Sequence, residues 1–274
     1  MLDRRIEDAW TEGDGDLAII GPVDTRLQEI RTREFPWNTI VHLCRDFGSG
    51  GCSGCSGTLI SPRRVLTAAH CIWSIARKAA PRRIFVMPGR SDRKTTPYGA
   101  IEALDFWIPR GFIDGPNRSS WDWGLIRLKR AVPDTIKQFM PVRALNNDQL
   151  RQVANSGRVT VVGYPSDRPI GTLWRDRERL VRADARRLFH TVDTCPGHSG
   201  SPILTRVDGK PAIIGVHTAG LLDPEGRSHG CKRETVLAPV GSTNSGVRVI
   251  PDMISALKDP TVPRSGPAKM VRLP

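Results

Sequence analysis

A chain of 274 residues is long enough to bury a substantial core and falls within the size of one large β domain. With 26 glycines and 22 prolines it is not a low-complexity chain, and no apolar run approaches transmembrane length. The net charge of +13 raises nucleic acid or another anionic surface as a partner. The arginines are scattered, however. The densest group, Arg175, Arg177, Arg179, Arg182, Arg186 and Arg187, has no aromatic platform alternating with it, so a solvated basic face is preferred to a polyanion-binding one.

Taken in order, residues 1–18 read as an acidic, weakly structured leader with no continuous apolar stretch, hence not a signal peptide. Thr39 to Leu43 opens a series of short β-rich runs, continued by Gly57–Ile60, Arg64–Ala68, Arg83–Val86, Ala100–Leu104 and Gly124–Leu128, with turn residues between nearly all of them. Inside this series stand Thr67-Ala68-Ala69-His70-Cys71, a histidine after small residues, and Asp122-Trp123-Gly124-Leu125, an aspartate heading an apolar run. Asp105 and Asp114 are the competing carboxylates. Asp114 precedes Gly115-Pro116 and reads as a turn former.

A linker spans about 131–156. A second set of runs follows at Arg158–Val162, Pro202–Leu204, Ala212–Val216 and Gly246–Val249. Ahead of the second of these lies Asp193-Thr194-Cys195-Pro196-Gly197-His198-Ser199-Gly200-Ser201-Pro202, the composition of a strained turn presenting a hydroxyl. Gly-x-Ser-x-Gly alone is weak evidence, since ordinary turns use the same residues. A serine hydroxyl needs a base to act as a nucleophile, and the base needs an orienting carboxylate. Here both occur upstream, in the order His, Asp, Ser. Helical spacing is confined to Ile250, Met253, Ile254 and Leu257, stopped by Pro260, and residues 259–274 read as a mobile basic tail.

These three segments, in this order, resemble the chymotrypsin-like serine peptidases, and among them the bacterial glutamyl endopeptidase branch. The resemblance implies an all-β fold of two six-stranded antiparallel β-barrels with a short C-terminal helix, spanning 19–258. His70 and Asp122 would lie on the first barrel and Ser199 on the second. It implies a serine endopeptidase in which Asp122 orients His70, His70 takes the proton of Ser199, and the N–H groups of Gly197 and Ser199 form the oxyanion hole. It implies a protein or peptide substrate, no cofactor and no metal, no specific nucleic-acid partner, and a monomer. Ile19-Ile20-Gly21-Pro22 resembles the mature start of the branch, so the leader is expected to be removable.

Specificity is read from two signals that conflict. Asp193 occupies the place where a trypsin binds Arg or Lys. Thr194 and His217 occupy those that contact a substrate glutamate in the acid-specific branch, and the strand carrying His217, Thr218 and Gly220 walls the pocket. Glutamate (or aspartate) is favoured. Cleavage after Arg or Lys, a regulatory protease inside the cell with one partner, and a non-catalytic binding homologue are the alternatives. His198 departs from the trypsin pattern, where an aspartate before the serine pairs with a freed N-terminal ammonium.

In the family, the positions of Cys55 and Cys71 are joined, and Cys195 with Cys231 resembles the pair bracing the pocket. That leaves Cys44 and Cys52, flanking a glycine-rich hairpin. A zinc reading of Cys52-x-x-Cys55 is the rival, weakened by the lack of a second doublet. Paired cysteines favour an extracytoplasmic compartment, against the missing signal peptide.

Overall fold

The computed structural model describes the backbone of residues 10–11, and residues 23–48, 51–219 and 243–273. The short β-branched and aliphatic runs become antiparallel strands whose inward residues form the cores of two closed barrels. Two outlying strands come first, β1 (Trp10–Thr11) and β2 (Leu27–Gln28). The first barrel comprises β3 (Ile40–Asp46), β4 (Cys52–Ser61), β5 (Arg64–Thr67), β6 (Arg83–Pro88), β7 (Ile101–Pro109) and β8 (Gly124–Leu128). They neighbour one another in the order β4-β3-β6-β7-β8-β5, and β5 closes on β4 through Thr58↔Leu66 and Leu59↔Val65. Ile40, Leu43, Leu59, Leu66, Ile84, Leu125 and Ile126 are almost fully buried within it. Each contributes roughly 1.5–3 kcal/mol by leaving water.

The second barrel comprises β9 (Arg158–Gly163), β10 (Trp174–Ala183), β11 (Arg187–His190), β12 (Pro202–Val207), β13 (Lys210–Ala219) and β14 (Asn244–Arg248). Its order is β11-β14-β13-β12-β9-β10, closed by β10 on β11. The two six-stranded barrels are the architecture expected from the sequence.

The outlying strands are shared between the barrels. β2 pairs with β10 of the second barrel, Leu27 opposite Arg175 and Gln28 opposite Trp174. Helix α1 (Arg110–Ile113) and helix α2 (Asn147–Ser156) precede the second barrel, α2 within the linker. The expected C-terminal helix is α3 (Pro251–Lys258), with Met253, Ala256 and Leu257 buried. Residues 259–273, expected as a mobile tail, are folded onto the first barrel. β15 (Met270–Leu273) pairs antiparallel with β7, burying Met270 and Leu273, while Arg272 reaches Asp105 at 3.1 Å. The two buried apolar side chains are what a composition-based reading of a basic, proline-containing tail overlooks. Of the leader, β1 runs parallel to the start of β4, and the rest of residues 1–18 lies outside the described residues.

The arginine group sits on β10, β11 and the turn between them. Arg182 and Arg187 both lie over Phe189, Arg186 over Trp121 (3.8 Å) and Arg175 over Trp37 (5.6 Å), so four of the six are engaged in cation–π contacts. No helix among the described residues is long and apolar enough to cross a membrane.

Candidate active site

His70 sits in a single 3₁₀ turn, Ala69–Cys71, at the end of β5. Three features hold the turn. The Thr67 hydroxyl donates to the Ser56 carbonyl at 2.7 Å, Ala68 and Ala69 are small enough to be wholly buried, and Cys71 is bonded to Cys55 on β4 with Cα atoms 6.1 Å apart. Arg45, itself buried, donates from Nη1 to the His70 carbonyl at 3.2 Å. Asp122 precedes β8 and meets the turn twice. The His70 backbone N–H donates to Oδ1 at 3.0 Å, and ring Nδ1 lies 2.7 Å from Oδ2. Gly124 permits this approach, because a Cβ there would stand 2.4 Å from Ile72 Cδ1. With Nδ1–H committed to the carboxylate, Nε2 is the acceptor end of the neutral ring. Asp105 and Asp114 are employed elsewhere, against Arg127 and Arg110.

Ser199 comes to this turn from the second barrel. Its carbonyl accepts from the Ser56 N–H at 2.8 Å and lies 3.5 Å from Cys71 Sγ. Ser56 also donates its hydroxyl to the Gly197 carbonyl (2.7 Å) and accepts from the Tyr164 N–H (2.8 Å). One serine of the first barrel thereby braces both residues expected to form the oxyanion hole. Gly197 has φ +93° in a turn closed by the His198 N–H on the Cys195 carbonyl at 2.9 Å, a conformation that favours glycine.

His198 is buried. Its Nδ1 accepts from the Cys195 N–H at 3.0 Å, and burial, with the nearby Arg26 and His217 adding to it, pushes its pKa well below the usual histidine value. It is a neutral ring that organises the turn, in the place where the trypsin pattern has a charged aspartate.

Thr194 and His217, expected at the specificity pocket, are both buried. His217 Nδ1 lies 3.4 Å from Nε2 of His190, a histidine held neutral by burial and by the proximity of His217. Asp193 is engaged with the N-terminal segment. The Thr25 N–H donates to its Oδ2 at 3.0 Å, and the Thr25 hydroxyl lies 3.1 Å from the same oxygen and from Asp176 Oδ1. Asp176 in turn accepts the Asp193 N–H at 2.8 Å. At His70 and Asp122 a cleft of about 770 Å³ opens, lined also by Ile75, Phe112, Thr218 and Ala219. Gly220 lies outside the described residues.

All four cysteines of the first barrel are paired as expected, Cys44 with Cys52 and Cys55 with Cys71. Cys195 is disulfide-bonded as well, and its expected partner Cys231 lies outside the described residues. The only grouping of possible metal ligands among the described residues is Cys55, His70 and Cys71, and its two sulfurs are spent on one disulfide, a donor set unsuited to a metal.

Ser56, Arg45, Thr25, Asp176 and Arg26 escaped the sequence reading. They are tied to the site only by long-range contacts, without a local motif.

Comparison with known proteins agrees with this geometry. The Trypsin family model matches residues 25–244. The chain belongs to the trypsin family of serine proteases. A glutamyl endopeptidase of Bacillus licheniformis is 28% identical over 220 residues, covering 78% of this chain and 65% of that protein. A Bacillus subtilis protein named extracellular metalloprotease is 30% identical over 205 residues, covering 74% of this chain and 63% of that protein. The chain thus spans just under two thirds of the length of these two relatives. A solved structure of a Glu endopeptidase in complex with MPD superposes with a TM-score of 0.68 at 25% identity, covering 89% of this chain and 96% of that one.

Proposed function

We propose that this chain is a serine endopeptidase with Ser199 as nucleophile, His70 as general base and Asp122 as its orienting carboxylate, cleaving after glutamate. The reading is carried by the two-point contact of Asp122 with His70, beside a serine loop bonded to Ser56 of β4, the residue whose carbonyl also holds Thr67 ahead of the His70 turn. Asp122 holds the tautomer in which Nε2 can accept the Ser199 proton, and it stabilises the imidazolium that results. Ser199 Oγ then attacks the scissile carbonyl. The oxyanion is met by the N–H groups of Gly197 and Ser199, and His70 returns the proton to the leaving amine.

The preference for glutamate is supported by the placement of one aspartate and two donors. The Asp193 carboxylate accepts from Thr25, whereas a trypsin-like role would direct it at a substrate cation. His217 and Thr194 are buried side chains able to donate to a carboxylate, which needs such partners in a partly desolvated site. The glutamyl endopeptidases among the relatives point the same way.

A peptide-library digest read by mass spectrometry tests the proposal. Cleavage after Glu is expected from the native chain and none from Ser199→Ala. His217→Ala should raise KM for Glu substrates far more than it slows acylation by non-specific esters. Cleavage after Arg or Lys, abolished by Asp193→Ser and indifferent to His217, would overturn the specificity. Undiminished hydrolysis by Ser199→Ala would overturn the mechanism.

A further inference from the structure

An oxyanion donor works only if its peptide plane is fixed before the charge develops. The N–H of Gly197 shares one peptide group with the carbonyl of Pro196, so whatever holds that carbonyl orients the N–H. Its partner is Ser166, whose N–H donates to the Pro196 oxygen at 2.8 Å. The two segments touch closely, since a Cβ on Gly197 would lie 2.4 Å from the Tyr164 carbonyl and 3.1 Å from the Ser166 nitrogen. The next residue, Asp167, is gripped from the N-terminal segment. Arg26 Nη1 donates to its Oδ1 at 3.0 Å and Nη2 to its Oδ2 at 2.6 Å, a two-pronged bond that fixes orientation as well as distance.

The grip is itself built in. Asp24 takes the other edge of the guanidinium, accepting from Arg26 Nε and Nη2 at 3.0 Å each, and Arg168 closes on Asp24 from the far side. The Arg26 and Asp24 side chains are only 1% and 3% exposed. Burying a charge so deeply costs several kcal/mol unless its donors are all met. Every guanidinium nitrogen of Arg26 has a carboxylate partner. Between Asp24 and Arg26, Thr25 bonds Asp193 at the opening of the same serine-bearing loop. Two consecutive residues of the N-terminal segment therefore hold that loop, one at its start and one beneath its turn.

We propose that Arg26 is a positioning residue for oxyanion binding, acting through Asp167 and Ser166 on the Pro196–Gly197 peptide. The inference rests on the peptidase reading above. In the trypsin pattern an N-terminal ammonium paired with an aspartate serves this end; here the cation is an internal side chain and the residue before the serine is neutral. The loop is then set without a newly exposed chain end.

The test compares the full-length chain with Arg26→Met, Arg26→Lys and Asp167→Asn, on the best peptide from the library digest. Arg26→Met is expected to lower kcat by about 10²–10³-fold, the scale of losing one oxyanion donor, with KM within about twofold. Affinity for a peptide aldehyde, whose tetrahedral adduct needs the oxyanion hole, should fall in parallel with kcat, while affinity for the corresponding product peptide holds. Arg26→Lys should recover part of the loss, and the pH at which the general base titrates should not move. Unchanged kcat and aldehyde affinity would overturn the proposal, as would equal loss of aldehyde and product binding, the mark of general unfolding. If the native chain hydrolyses no peptide, the peptidase reading fails alone, and hydrogen exchange at Gly197 to Gly200 decides this one. Faster exchange in Arg26→Met supports it; unchanged exchange sinks it.

Discussion

The two barrels brace their halves of the site by different means. On the first, His70 stands in a turn closed by the Cys55–Cys71 disulfide and surrounded by fully buried aliphatic and alanine side chains, with Cys44–Cys52 tying the neighbouring hairpin. On the second, the serine loop is held, apart from the Cys195 bridge, by buried ion pairs and neutral histidines: Arg26 with Asp24 and Asp167, Thr25 with Asp176 and Asp193, His198 on Cys195 and His190 beside His217. Covalent and apolar bracing is indifferent to pH, whereas charge-based bracing is not. The two halves should therefore fail under different conditions.

The sharpest break lies at the one bond within the first barrel that is both charged and proposed as catalytic. Asp122→Asn should reduce kcat by on the order of 10⁴-fold without loss of fold, because the amide can no longer impose the required histidine tautomer. Steady-state kinetics beside a circular-dichroism melt would check it.

Acid should strike the second barrel harder. His42, His190 and His198 are kept neutral by burial, their folded pKa values lying well below 6.5, so the unfolded chain binds protons there first. Their stabilising effect is complete above pH 6.5 and is lost as pH falls below it, by on the order of 1 kcal/mol per histidine for each pH unit. Two of the three belong to the serine side. Asp24 extends the trend at lower pH. Burial alone would raise its pKa, but hydrogen bonds from Arg26 and the charges of Arg26 and Arg168 bring it down to about 2. That contribution, about 2 kcal/mol, is present above pH 4 and disappears between pH 4 and 2. Urea unfolding at stepped pH, repeated with His198→Gln, measures the difference.

Next in size, Cys55→Ala/Cys71→Ala should cost about 3 kcal/mol, the value for releasing a loop of this length, given the 16-residue separation. The loss should be the same at pH 7 and pH 5.5, which separates it from the histidine effect. The smallest expected effect is at the seam. Ser56→Ala removes a buried hydroxyl that serves Gly197 and Tyr164, at roughly 1–3 kcal/mol in denaturant titration.

The contrast between barrels also governs what could be read from the sequence. The first barrel is legible because its strands are apolar runs and His70 sits among small residues in a recognisable string. The second hides β10, where Arg175, Arg177 and Arg179 alternate with Asp176 and Glu178 and only Leu180 among the central residues is a buried aliphatic. Its inward aspartate looks like surface charge until Thr25 and the Asp193 N–H are seen to bind it. Helix α2 left a trace that went unused, since Asn146 and Gln149 form a reciprocal capping box at its start. Arg26 left none. Of its two carboxylate partners Asp24 is two residues away, but Asp167 is 141 away, and no local pattern foretells that pair.

The chain ends carry one last consequence. Residues 24–28 lie on the second barrel, β3 to β8 build the first, β9 to β14 return to the second, and β15 closes on the first. From residue 24 to residue 273 the polypeptide thus passes between the barrels three times, like a lace drawn through two eyelets. A protease nick in the linker around 131–156 would cut one crossing and leave two, so the pieces would stay together. Neither barrel is a portable module that can be excised at the linker and expressed alone.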